Sequence, residues 1–101
     1  MNTFNDAIPF RNGALSVQAN KGAYCYPRED SAVYSMYEVA YITDSGRFWR
    51  IKDWGDAHNF KHNGGVYSWV DKSKVVSLLR MEGFTLNQID KLLPQDNREV
   101  E

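Results

Sequence analysis

The aromatic residues of this chain are concentrated in its first part. Of all its Phe, Tyr and Trp residues, only Phe84 lies beyond position 70, and aromatic side chains are enriched in β-strands. From Asp71 onward the apolar residues are mostly aliphatic, and Val75, Val76 and Leu79 follow the spacing of one helix face. The sequence therefore predicts strands followed by helices, the arrangement of an α+β domain.

Residues 8–19 predict a first β-hairpin. Apolar residues alternate with others on either side of Asn12-Gly13, a dipeptide that suits the two positive-φ positions of a tight turn. Pro9 has no backbone N–H, so we expect the first arm to be an edge strand or merely extended chain.

Residues 37–54 predict a second hairpin, with a three-residue loop in which Gly46 takes the left-handed position. A two-residue loop would place Glu38 opposite Asp53, whereas the three-residue loop pairs opposite charges. The predicted cross-strand pairs are Val39–Ile51, Tyr41–Trp49 and Glu38–Lys52.

The last third of the chain predicts two helices. Asp71 can cap the first helix, and Gly83 can end it. Thr85 followed three residues later by Gln88 is the pattern of a capping box for the second helix, which Pro94 ends.

Together these patterns predict one α+β domain over residues 1–94. A chain of 101 residues can bury a core of its own. We expect a small antiparallel sheet of three to five strands, the last of them over residues 66–70 after a polar loop over residues 55–65. Two C-terminal helices should pack on one face of the sheet, and residues 95–101 should form a flexible tail.

The charge of the chain argues against a polyanionic partner. Twelve basic and thirteen acidic residues leave a net charge of −1, so the excess that would hold a phosphate backbone or an anionic membrane is missing. The single cysteine favours a reducing compartment. The N-terminus lacks the pattern of a signal peptide, and no apolar run has transmembrane length. We therefore expect a cytoplasmic protein.

Cys25 is the first candidate for chemistry, because a cysteine nucleophile needs a base and an electropositive setting. Arg28 and the histidines could supply these, but no protease signature surrounds the cysteine. On a strand over residues 23–28, Cys25 would point away from its tyrosine neighbours and pack as a small apolar group.

His58 and His62 are the second candidate. They are four residues apart, and Asp53, Asp56 and Cys25 could complete a metal shell. The surrounding residues favour a polar loop, however, and the glutamate of an HExxH motif is missing. We therefore expect no catalytic residue, no metal and no cofactor, and an enzyme or metal protein built on Cys25, His58 and His62 is the third hypothesis for function.

The helical pair supports a second hypothesis, a small nucleic-acid-binding accessory or regulatory protein. Asn87 and Gln88 lie near the start of the second helix, where a helix-turn-helix protein contacts bases. Asp90 lies on the same helix, and Lys91 is its only basic residue. The simpler interpretation is a pair of helices that covers the sheet, so nucleic acid is not the expected partner.

The aromatic residues support the leading hypothesis. Ten of them cannot all fit the buried face of a small sheet, and exposed aromatics beside arginines are typical of protein interfaces. The ten are Tyr24, Tyr26, Tyr34, Tyr37, Tyr41, Phe48, Trp49, Trp54, Tyr67 and Trp69. The expected contact surface for a protein partner consists of Tyr24, Tyr26, Arg28, Arg50 and Trp54.

Three stretches of the chain carry a family resemblance: LSVQANKGAYCYPR, YEVAYI and VYSWVDKSKVV. They resemble a group of small proteins from phages, prophages and other mobile elements that share Ser-x-Gln-Ala, Tyr-Cys-x-Pro-Arg and Val-Tyr-x-x-Val motifs. The resemblance spans roughly residues 15–83 and leaves out the second helix. It transfers no catalytic residue. It implies a non-enzymatic protein that binds and inhibits host machinery, for example a CRISPR or restriction system.

Overall fold

The fold was obtained as a computed structural model, which describes residues 5–20, 23, 25–26 and 34–94. Within these residues the chain forms a five-stranded antiparallel sheet and then two helices, so the predicted α+β fold is confirmed. The elements are β1 (Ile8–Phe10), β2 (Gly13–Gln18), β3 (Met36–Thr43), β4 (Phe48–Trp49), β5 (Tyr67–Asp71), α1 (Lys72–Met81) and α2 (Leu86–Leu92).

The first hairpin joins β1 to β2, but its turn differs from the prediction by one residue. The turn residues are Arg11 and Asn12, and Phe10 pairs with Gly13 across the strands. Arg11 has a φ of 52°. Gly13 is needed for another reason: a Cβ there would lie 2.1 Å from the carbonyl oxygen of Ile42 on β3. The glycine therefore allows β2 and β3 to approach, and β1 forms an edge of the sheet, as Pro9 predicts.

The second hairpin is only partly as predicted. Tyr41 pairs with Trp49 through the expected three-residue loop, and Gly46 has a φ of 82°. The predicted pairs Val39–Ile51 and Glu38–Lys52 are wrong, because β4 ends at Trp49. In their place β5 pairs with the first half of β3, with a bulge opposite residues 37–39. The partners of β3 there are Asp71 for Met36, Val70 for Tyr37 and Tyr67 for Val39.

Both helices begin and end at the predicted signals. After α1, the N–H of Gly83 donates to the carbonyl of Arg80 and the N–H of Phe84 to that of Leu79. This is the Schellman arrangement that a left-handed glycine permits. At α2 the Thr85 hydroxyl accepts from the Gln88 N–H, and the Gln88 side chain accepts from the Thr85 N–H. Asp71 is the N-cap residue of α1 but makes no side-chain capping bond.

The core lies between one face of the sheet and the two helices. Alternation places Leu15 and Val17 of β2 on the same face as Val39 of β3. Buried residues of both helices join these strands in one cluster. The helical members are Val75, Leu78 and Leu79 of α1 and Ile89 of α2. Among the described residues, no helix is both long and apolar enough to cross a bilayer.

Candidate functional site

The short strand β4 carries two large exposed aromatic side chains. Phe48 is 50% exposed and Trp49 is 55% exposed. Successive side chains of a strand point to opposite faces, so a pair of adjacent aromatics cannot both be covered by one packing layer. Within the described part of the chain β4 pairs with β3 alone, through Tyr41 and Ile42, so both rings lie exposed at the side of the sheet.

A shallow groove of about 330 Å³ lies beside β4. One wall is β4 itself with Arg50, and the other is the loop that precedes β5. Gly65 lies so close to Phe48 that a Cβ at Gly65 would come within 2.8 Å of the Phe48 Cβ. We refer to this feature as the β4 groove, and its lining residues are Phe48, Trp49, Arg50, Phe60, Lys61, Gly64 and Gly65.

The hydroxyl of Tyr67 holds the segment after β4 in place. It accepts a hydrogen bond from the N–H of Ile51 and donates one to the carbonyl of Gly55, both at 2.8 Å. Burial raises the pKa of Tyr67, so the hydroxyl keeps the proton that it donates. The Tyr67 ring also packs against Trp54 and Phe60, with ring centroids 5.1 and 4.6 Å apart. This one buried side chain therefore positions both walls of the β4 groove.

His58 connects the loop that precedes β5 to α1. Its Nε2 lies 3.0 Å from Lys74 Nζ, and Lys74 also lies over the ring of Trp54, 5.2 Å from its centroid. Burial lowers the pKa of His58, and the ammonium of Lys74 lowers it further, while Asp71 acts in the opposite direction. A neutral imidazole can accept from Lys74, so the contact is favourable near neutral pH.

The loop between His58 and β5, and β5 itself, contain unusual backbone conformations. His58, Asn59 and Trp69 all have positive φ, between 50° and 60°, a region that costs free energy for residues other than glycine. Hydrogen bonds compensate: the Ser68 N–H and hydroxyl both donate to the His58 carbonyl at 3.0 Å. The tertiary structure thus holds the loop in a defined conformation beside the groove.

The charged residues of the groove share one carboxylate. Arg50 Nε donates to Asp56 Oδ1 at 2.9 Å, and Lys61 Nζ lies 3.8 Å from Asp56 Oδ2. The guanidinium of Arg50 also lies over the ring of Phe60, 5.5 Å from its centroid. All three charged side chains are about half exposed or more, so each ion pair adds little stability.

Of the residues predicted as a contact surface, the three that the structure describes are not brought together. Tyr26 is 62% exposed and bridges to Met36, at the start of β3. Arg50 follows β4, whose Trp49 pairs with Tyr41 near the other end of β3, and about 17 Å of strand separates Met36 from Tyr41. Trp54 is only 9% exposed and packs in the core instead of offering a contact surface. Tyr24 and Arg28 lie outside the described residues.

The candidates for catalysis or metal binding are also separated. Cys25 is fully buried in the core, and its thiol donates to the Asn20 carbonyl at 3.3 Å. His58 bonds to Lys74, whereas His62 is exposed. No group of three His, Cys, Asp or Glu residues in the described part of the chain could hold a metal ion.

The helical pair presents little of what a DNA reader needs. The Gln88 side chain is committed to the capping box of α2, and α2 has only seven residues. Ile89 faces the core. Buried residues of both helices join the core cluster, so the helices cover the sheet.

Comparison with known proteins gives no family assignment. No protein family, curated protein or solved structure matches this chain. The fold and the β4 groove therefore define it as a small α+β protein with an exposed aromatic and basic surface.

Phe48, Trp49 and Lys61 were not among the residues predicted to form a site. A sequence signal for the first two exists in Arg47-Phe48-Trp49-Arg50, where two adjacent aromatics are flanked by arginines. Adjacent positions on a strand face opposite sides, so one ring of such a pair is left for the surface or for a partner. Lys61 is brought to the groove by the loop, and no local pattern marks it.

Proposed function

We propose that this chain is a non-enzymatic protein of phage or mobile-element type that binds and modulates a host protein through the β4 groove. The observation that carries the proposal is the exposure of both Phe48 and Trp49, which are adjacent in sequence on a two-residue edge strand. Exposed aromatics with an adjacent arginine are typical of the residues that contribute most to protein–protein binding.

The surroundings of these side chains support a binding role. The Tyr67 hydroxyl and the paired Arg50 hold the walls of the groove before any partner arrives. A preformed surface loses less conformational entropy on binding than a mobile one. The resemblance of the sequence motifs to phage and prophage proteins supports a host protein as the partner, and a CRISPR or restriction complex is the first that we propose to test.

The test is capture of a host protein by the purified chain, with nuclease added, compared between matched variants. Trp49→Ala should weaken the captured complex by about tenfold or more if its ring lies at the centre of the interface. Met81→Ala is the control, because Met81 is an exposed apolar residue of α1 (68%) and is not in the groove.

The proposal also predicts an effect in cells. Expression of the wild-type chain should weaken the defence of a CRISPR- or restriction-proficient host against phage or plasmid. Expression of Trp49→Ala should leave that defence intact. Equal capture by wild type and Trp49→Ala, with both proteins folded, would contradict binding through the groove. Loss of the complex on nuclease treatment would favour a nucleic-acid partner.

A further inference from the structure

The charged residues that line the β4 groove, among those the structure describes, are both cationic. They are Arg50 and Lys61, and the described lining includes no carboxylate. Asp56, just outside the lining, is shared between the two. The chain as a whole has a net charge of −1, so this surface has the opposite sign to the average of the molecule.

Both cations have bonding capacity left for a partner. A guanidinium has five N–H donors, and Arg50 uses Nε–H for Asp56 as its one hydrogen bond within the described residues. Lys61 is 74% exposed and 3.8 Å from the same carboxylate, so its ammonium can move to another acceptor at little cost. A second carboxylate, supplied by a partner, would complete the coordination of both.

The groove is also small, and part of its lining is apolar. Its volume of about 330 Å³ is near the lower end for pockets that take small ligands. Gly64 and Gly65 contribute no side chains, and a Cβ at Gly64 would meet no atom within 4 Å. Gly65 packs directly against Phe48, whereas the space at Gly64 is open. One large apolar side chain from a partner can therefore lie over Gly64, beside the exposed aromatic rings of β4.

Nucleic acid fits these features less well. Proteins that stack bases on aromatic side chains also provide a positively charged path along several phosphates. Here two lining cations share Asp56, and the net charge of the chain is negative. One or two carboxylates of a protein match the available donors better than a phosphate backbone does.

We propose that the partner docks through an acidic segment that places one large apolar side chain in the β4 groove and its carboxylates against Arg50 and Lys61. This inference rests on the proposed function and specifies the chemistry of the partner. In this arrangement Phe48 and Trp49 contact the apolar side chain of the partner, and the two cations contact its carboxylates.

The test uses synthetic peptides of defined charge as probes. The first has a central leucine flanked on each side by three acidic residues, the second has lysines in their place, and the third has alanine in place of the leucine. An oligothymidylate is the nucleic-acid probe. Binding is followed by NMR through the amide resonances of Gly64 and Gly65 and the indole N–H of Trp49.

We expect the acidic peptide with leucine to shift these resonances and to bind at least tenfold more tightly than the other three probes. Its affinity should fall as salt rises from about 50 to 200 mM, because the attraction is screened. Gly64→Asn should weaken binding at least tenfold, since asparagine tolerates the φ of 64° and its side chain enters the groove. Gly83→Asn, at a helix end outside the groove, should leave binding unchanged.

A charge reversal provides a second test that does not depend on the Gly64 variant. Arg50→Glu combined with Lys61→Glu changes two exposed side chains, so it should fold and should now prefer the lysine peptide. Equal affinity for the acidic and basic peptides, tighter binding of the oligothymidylate, or failure of every peptide to bind would overturn the inference. If the wild-type chain still captures a host protein and Trp49→Ala does not, the proposed function stands without this inference.

Discussion

Removal of a single hydroxyl group, by Tyr67→Phe, should destabilise the protein substantially. Tyr67 is fully buried, and its hydroxyl bonds to both the N–H of Ile51 and the carbonyl of Gly55. The substitution keeps the ring and its packing against Trp54 and Phe60. Its effect is therefore confined to two hydrogen bonds.

The magnitude follows from the burial of the two partners. Ile51 is 1% exposed, so its N–H would be left without water, at a cost of about 1–3 kcal/mol. Gly55 is partly exposed, so its carbonyl can bond to water and the loss there is about 0.5–1 kcal/mol. The free energy of unfolding should fall by about 1.5–4 kcal/mol. For a domain of this size the corresponding decrease in Tm is about 6–30 °C.

Urea unfolding measures this loss, with tryptophan fluorescence as the signal, because Trp54 contacts the mutated ring. The control is Tyr26→Phe, which removes the same group from a side chain that is 62% exposed and should change stability by no more than about 0.5 kcal/mol. A decrease below about 0.5 kcal/mol for Tyr67→Phe would refute the bridging role of the hydroxyl. Unchanged peptide binding in that variant would also show that the groove does not depend on it.

Three further predictions concern the sheet, a helix cap and pH. Gly13→Ala should lower the free energy of unfolding by about 3 kcal/mol, because its Cβ would overlap the Ile42 carbonyl; a urea midpoint equal to wild type would argue against that contact. Thr85→Ala should cost about 1 kcal/mol in the same assay through loss of the capping box, and no loss would mean that the cap contributes nothing. The folded-state pKa of His58 is lowered, so the unfolded chain binds its proton first, and stability should decrease as pH falls from about 6.5 towards the folded-state pKa. His58→Asn, which accepts the left-handed backbone, should remove that part of the pH dependence of the urea midpoint; an unchanged pH dependence would show that another group is responsible.

Features that depend on neighbouring residues could be predicted from the sequence. The capping box of α2, the glycine after α1 and the three-residue loop at Gly46 were all found as predicted. Each is formed by residues within a few positions of one another, so the local pattern contains the interacting groups. The change from strands to helices near Asp71 was evident for the same reason.

The position of the first turn depended on contacts from another strand. Asn12-Gly13 has the composition of a turn, yet the glycine lies in β2, where it allows close approach to Ile42. The sequence predicts a glycine-dependent hairpin, but it does not distinguish a turn that needs positive φ from a strand that needs space.

The candidate site was decided by the tertiary structure. The same composition of aromatics and arginines leaves Trp49 exposed and Trp54 buried, and the sequence alone had placed Trp54 on the surface. Directly after β4 the Ile51 N–H donates to the hydroxyl of Tyr67, sixteen residues along the chain, and the Tyr67 ring packs against Trp54. The alternation along a strand determines which side chains share a face. Whether such a side chain is exposed depends on which distant side chain covers it.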